Sequence, residues 1–487
     1  MSIIAYFMKG STRYFVLSIL FAFLHTLSEL LIPQVGRSLV DNVIDSQPFT
    51  FPTFVNEAIE SMGGAACIRE HLWIIAVAIM VLTVFTILAR YATNQLNNMG
   101  AEKLQQSMRE KLFSHIQELP FSWHMENKTG DIIQRCTSDV ERVRSFIAEQ
   151  LVSLLRIGAL LIISLVFMFS MNTTLAIIAA VTVPVIVGYS AYFHGKIGEG
   201  FFECDNNEGI LSTIAQENLT GVRVVRAFGR EEFERNRFEK QNEVYTNLWV
   251  RLIGIMSLFW GAGDLICGIQ NVLILSIGSS LCVKGTLTAG EFIAFLSYNA
   301  MMIWPVRHLG RVITEMSKAG VSIDRVRYII DSPVEEDVPS PLTPDLNKDI
   351  VFENVSFSYL PDVPVLQNVD LTIKAGSTLG ILGSTGSGKT TLMHLMNRLY
   401  PLPENCGRIT IGGVNIKDMK AKHLRQGIGM VLQEPFLFSR TIADNIRITD
   451  PSLSMEKVRR AAAIACVDEA ISDFAKGYDT LVGERGV

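Results

Sequence analysis

The sequence predicts a multidomain membrane protein: an all-α transmembrane domain of six helices followed by an α/β P-loop domain. Three observations predict it. Six apolar runs lie between residues 14 and 305. A proline-rich stretch then interrupts the chain from Asp331 to Asp349. Beyond it, a short β-like run leads straight into a glycine-rich motif, Gly383–Thr390.

At 487 residues the chain is too long for one ordinary domain. Hydrophobic residues make up 49% and mean hydropathy is +0.30. That fraction is near the globular average, so its distribution carries the information. Net charge is −5, which leaves no overall basic footprint for nucleic acid. The seven cysteines are scattered, without a C-x-x-C pair or a histidine at metal spacing, so neither a disulfide framework nor a zinc site is expected.

A helix needs about 20 mostly apolar residues to cross a bilayer. The runs that qualify are 14–33, 72–90, 151–171, 174–193, 252–283 and 286–305. The first follows Lys9 and Arg13 like a signal peptide, but it is too long and lacks a small-x-small cleavage site, so it reads as a retained span. Lysine and arginine crowd the segments about 91–150 and 195–250 and are sparse in the other connections. The positive-inside rule therefore places those two segments, and both termini, in the cytoplasm. Apolar residues at helical spacing, such as Leu104, Met108, Leu112 and Ile116, predict that the spans continue there as helices and turn at Pro120–Asp131 and Gly221–Gly229.

Ionisable groups within spans are costly and are candidates for function. His25 and Glu29 lie four apart on the first span, and Asp264 lies in the fifth, followed by Gln270 and Asn271. They read either as a polar substrate path or as hydrogen-bonding groups between helices. Arg156, near one end of the third span, reads as a snorkelling side chain.

After the linker at 331–349, strands are expected at Ile350–Phe352, Val355–Tyr359, Leu371–Ile373 and Thr378–Leu382. The last enters Gly383-Ser384-Thr385-Gly386-Ser387-Gly388-Lys389-Thr390, which fits G-x-x-x-x-G-K-[ST]. Glycines let backbone N–H groups curl inward onto phosphate oxygens, and the helix from Lys389 adds its positive N-terminal end. Lys389 is expected on the β- and γ-phosphates and the Thr390 hydroxyl on Mg²⁺, with Thr391 following in the same turn. The motif alone says nucleoside triphosphate; kinases, GTPases and motors share it.

The residues around this motif resemble ABC transporters, in particular exporter half-transporters. Ser358-Tyr359 stands where that family places an aromatic that stacks on adenine. Val431-Leu432-Gln433-Glu434-Pro435 resembles its Q-loop, where the glutamine reaches Mg²⁺ and the attacking water. Phe436 to Ile446 continues the exporter pattern. Gly130, Asp131, Arg135 and Asp139, and Gly221 to Phe228 with Glu231, look like the two cytoplasmic elbows. Gly285 to Glu291 also fits, and Gly483-Glu484-Arg485-Gly486 resembles the loop before the signature motif.

The resemblance implies ATP and Mg²⁺ as cofactors, and a second half-transporter, the lipid bilayer and an unidentified small-molecule, lipid or peptide substrate as partners. It implies a multi-pass protein of the plasma (inner) membrane that exports by alternating access. The domains are then 1–330 in the membrane, 331–349 as linker and 350–487 as the N-terminal part of the ATP-binding domain. The signature motif, the Walker B carboxylates and the switch histidine do not occur before Val487. The resemblance therefore implies an incomplete sheet and a chain that does not hydrolyse ATP alone. A regulatory or degenerate ATP-binding subunit without turnover is the alternative.

Overall fold

The computed structural model describes residues 3–45, 47–48, 56–57, 64–433 and 436–483. The chain divides into two compact units, Met1–Glu335 and Glu336–Val487.

Among the described residues, the first unit is built on six long helices: α1 Thr12–Ser38, α2 Trp73–Glu118, α3 Val152–Met171, α4 Thr173–Thr220, α5 Glu231–Val283 and α6 Ala289–Asp331. Only Asn172 separates α3 from α4. It caps α4 by accepting the Leu175 N–H at 3.2 Å, which turns the chain sharply enough to form a helical hairpin. A capping box, Thr288 with Glu291, starts α6 and fixes its first turn. Short helices at Phe121–Glu126 and Thr129–Gln134 follow α2, and one at Val222–Ala227 joins α4 to α5.

Five of these helical stretches, those containing α1 to α5, are long and apolar enough to cross a membrane. Within this unit their apolar surface points outward: only 6% of the most apolar stretch of α2 is buried. Val81, Ile162, Val181, Leu265 and Val272 are all exposed. A water-soluble bundle would turn such residues inward; a bilayer solvates them. The sixth expected span starts at Ala289 rather than 286 and does not reach the same apolar standard. The reason is burial. Ala294, Phe295, Tyr298, Asn299 and Met302 of α6 sit inside the bundle, where polar atoms find partners: the Tyr298 hydroxyl donates to the Leu30 carbonyl at 2.8 Å.

At the charged end, α2, the short helices after it and α6 enclose a second core that includes Leu104, Met108, Leu112, Ile116, Trp123, Val140 and Ile329. A polar tie crosses it. Asp139 is fully buried and accepts the Ser322 hydroxyl at 2.9 Å, with Arg325 at 3.4 Å. Arg325 also reaches Asp131, which pairs with Arg135 at 2.6 Å. Burial pushes the Asp131 carboxyl up, but hydrogen bonds from Arg325 and Arg135 outweigh it and hold the group below its ordinary 3.8. A depressed carboxylate contributes stability that is present above the unfolded value and lost as pH falls through the folded one. We therefore expect Asp131→Asn to lower the unfolding midpoint near neutral pH. The difference from wild type should shrink below the ordinary carboxylate pKa, as a pH series of melting curves would show.

The second unit holds an antiparallel sheet in the order β2-β1-β3-β4, from β1 Ile350–Leu360, β2 Val363–Ile373, β3 Arg408–Ile411 and β4 Val414–Asn415. The two strands expected over 350–359 are one, with bulges in its pairing to β2, and the third begins at Val363 rather than 371. Phe352, Val355, Phe357, Ile409 and Ile411 of this sheet pack on Leu392 and Leu395 of helix α7, Lys389–Met396. The strand expected at Thr378–Leu382 is not formed; the segment lies outside the sheet and Leu382 is 98% exposed. Its composition suits a strand covered on both faces, but a strand exists only where a neighbour completes its ladder. Among the described residues none does.

Candidate functional site

The glycine-rich loop joins the exposed segment 378–382 to α7. Gly386 and Gly388 sit at φ +84° and +87°, the left-handed region that only glycine enters freely. A Cβ on Gly388 would also lie 2.7 Å from Leu366 Cδ2 and 3.2 Å from the Val365 carbonyl oxygen. The loop can therefore close on β2 only with glycine here. Gly388→Ala should cost about 1–2 kcal/mol in backbone strain alone, before the contact with Leu366 is relieved. Chemical denaturation of the purified protein would read this as a loss confined to the second unit.

Lys389 is the first residue of α7. Its ammonium turns back over the loop and donates to the carbonyl oxygens of Gly383 and Ser384, each at 2.8 Å, with Ser387 Oγ at 3.4 Å. All residues from Gly383 to Ser387 are exposed. The cradle is thus open, its one cation folded across its mouth, and the exposed Thr390 stands beside it. Thr391, on the next position, is buried and accepts the Tyr359 hydroxyl at 3.1 Å. That bond carries the Tyr359 ring to the start of α7. The ring is 44% exposed and meets Tyr400 edge-on at 4.9 Å. Tyr359, the loop, Lys389, Thr390 and Thr391 are therefore brought together. Gln433 is exposed, and no hydrogen bond among the described residues joins it to them. Glu434, Pro435 and Glu484 to Gly486 lie outside the described residues. The arrangement fits a triphosphate with a divalent cation: exposed loop groups, one ammonium lying over them and the exposed Thr390 hydroxyl.

In the first unit, His25 and Glu29 approach to 3.9 Å. Asp264 is paired across helices with Arg307 of α6 at 2.8 Å. Sequence reading missed Arg307, which lies just beyond the expected sixth span. The Arg307 side chain is 7% exposed, that of Asp264 75%. Gln270 and Asn271 bond to Asn299 at 2.5 and 2.7 Å, which bridges α5 to α6. No ion pair or hydrogen bond among the described residues links the His25 pair to the Asp264 pair.

Residues 15–306 match the family described as ABC transporter transmembrane region, and residues 366–482 match ABC transporter. The chain belongs to the ABC transporters. It is 35% identical over 416 residues to an uncharacterized ABC transporter ATP-binding protein, YknU, of Bacillus subtilis (strain 168), covering 84% of this chain and 70% of that one. It is 33% identical to the probable multidrug resistance ABC transporter ATP-binding/permease protein YheI of the same organism, covering 92% of this chain and 76% of that one. It is 32% identical to an ATP-dependent lipid A-core flippase of Syntrophus aciditrophicus (strain SB), covering 79% and 64%. This ABC transporter chain thus fuses a helical membrane domain to a nucleotide-binding domain with a small sheet, and it is a multi-pass membrane protein.

Proposed function

We propose that this chain is one half of a dimeric exporter that uses MgATP to switch a membrane cavity between inward- and outward-facing states. The observation that carries the reading is the open glycine cradle with Lys389 poised over it, on a chain whose first unit is a membrane domain of the same family. In this reading Tyr359 stacks on the base. The loop from Gly383 to Gly388 and Lys389 hold and neutralise the phosphates, and Thr391 anchors Tyr359. Thr390 and Gln433 hold Mg²⁺, which when bound supplies further charge neutralisation. The tips near Phe121–Gln134 and Val222–Ala227 carry nucleotide-driven movement to the spans. Both termini are cytoplasmic. Asp264 with Arg307, and His25 with Glu29, are the polar groups available to a substrate or to a second chain.

The relatives named as a multidrug resistance transporter and a lipid A-core flippase support an amphiphilic cargo. The test is ATP-dependent accumulation of a panel of amphiphilic dyes and labelled lipids in inside-out vesicles bearing the chain reconstituted with a full-length partner half-transporter. Accumulation that Lys389→Ala abolishes is expected. Saturable ATP binding with no ATP-dependent movement of any probe would favour the regulatory subunit instead.

A further inference from the structure

A pocket of about 420 Å³ lies between α4 and α5, outside every group used so far. Gly200 against Leu252 sets the register of its two walls; a Cβ on Gly200 would lie 2.8 Å from Leu252 Cδ1. Its apolar part is Leu252, Ile255 and Leu258 with the Tyr192 ring. Four charged side chains complete it: Lys196, Glu199 and Glu203 from α4, and Arg251 from α5. All four are exposed, and among the described residues no ion pair joins any of them to an opposite charge. Lys196 instead leans over the Tyr192 ring, 5.1 Å from its centroid.

Depth explains the combination. At about 1.5 Å per residue, Tyr192 lies roughly 29 Å and Lys196 roughly 35 Å along α4 from Thr173. The hydrocarbon core is about 30 Å thick and the whole bilayer about 40–45 Å. The apolar end of the pocket therefore lies near the edge of the hydrocarbon core and Lys196 lies among the headgroups, while Glu199 and Glu203 follow about 4.5 and 10.5 Å further along α4, on the water side of the phosphate level.

We propose that this pocket binds the headgroup of a zwitterionic phospholipid with a primary ammonium, as in phosphatidylethanolamine. Lys196 and Arg251 take the phosphate by charge-assisted hydrogen bonds, and Glu199 and Glu203 take the ammonium. Two unpaired cations beside two unpaired carboxylates match a headgroup that carries both charges. A purely anionic headgroup would leave the carboxylates opposed to it. A quaternary ammonium has no N–H to donate to them. The inference needs only that α4 and α5 stand in a bilayer, so it survives or fails independently of ATP-driven export.

The test is native mass spectrometry of the detergent-purified full chain titrated with dioleoyl-phosphatidylethanolamine, -phosphatidylglycerol and -phosphatidylcholine. Phosphatidylethanolamine adducts should persist in preference to the other two. Lys196→Gln and Arg251→Gln should each weaken them roughly fivefold. Glu199→Gln with Glu203→Gln should erase the preference over phosphatidylglycerol while that lipid still binds. Unchanged nucleotide affinity in all variants confirms that they are folded. Equal phosphatidylethanolamine adducts in wild type and the double cation variant would overturn the assignment, as would a wild-type preference for phosphatidylglycerol.

Discussion

Lys389→Ala is expected to weaken ATP binding by more than about tenfold while leaving the unfolding midpoint almost unchanged. The two parts of that expectation have different origins. In the structure the ammonium makes only exposed hydrogen bonds, to the Gly383 and Ser384 carbonyls and Ser387. Exposed bonds of this kind exchange with water at little net gain. With a triphosphate in the cradle, the same ammonium meets charged oxygens, where a hydrogen bond is worth about 1.5–3 kcal/mol; at about 1.4 kcal/mol per factor of ten, this loss exceeds one decade in affinity. Titration with a fluorescent ATP analogue, alongside melting curves, separates the two. A large drop in midpoint with unchanged affinity would mean that Lys389 is structural.

How much of this was legible in the sequence depends on whether a feature is local. The phosphate loop is local: glycines at positions 386 and 388 and the lysine that follows announce their backbone and charge without help from distant residues. The spans are nearly so, because apolar length is a property of one segment. The sixth is the exception. Its Glu291, Tyr298 and Asn299 are tolerated because neighbouring helices satisfy them, Glu291 through Arg37 of α1, which cannot be read from α6 alone. Strand 378–382 failed for the opposite reason. Its Leu-Gly-Ile-Leu run has the right composition, but strand formation is decided by a pairing partner. Arg307 was invisible because its meaning lies in Asp264, 43 residues earlier. Likewise, Asp131 and Asp139 in sequence only resemble marks of an elbow; their bonds to Ser322 and Arg325 show them fastening that segment to α6.

That fastening carries the second large effect. Arg325→Ala should destabilise the helical unit by about 3 kcal/mol, the lower end of the cost of stripping a partner from a buried charge. The lower end applies because Arg325 is 30% exposed and Ser322 still donates to Asp139. Asp139→Asn combined with Arg325→Ala should recover part of the loss, since the uncompensated charge is then gone. Thermal unfolding in lipid nanodiscs reads both variants. If the double variant is no better than Arg325→Ala alone, the cost arises from lost packing rather than from the buried carboxylate.

The central claim is that this membrane chain carries a working MgATP cradle, and equilibrium binding tests it most directly. The wild-type chain in nanodiscs would be titrated with ATP by calorimetry, with Mg²⁺ and with the ion chelated. The account predicts saturable binding of one nucleotide per chain, tightened by Mg²⁺, with the Mg²⁺ effect reduced in Thr390→Ala. Absence of saturable binding in the folded, embedded chain would contradict it, as would binding indifferent to both Mg²⁺ and Thr390.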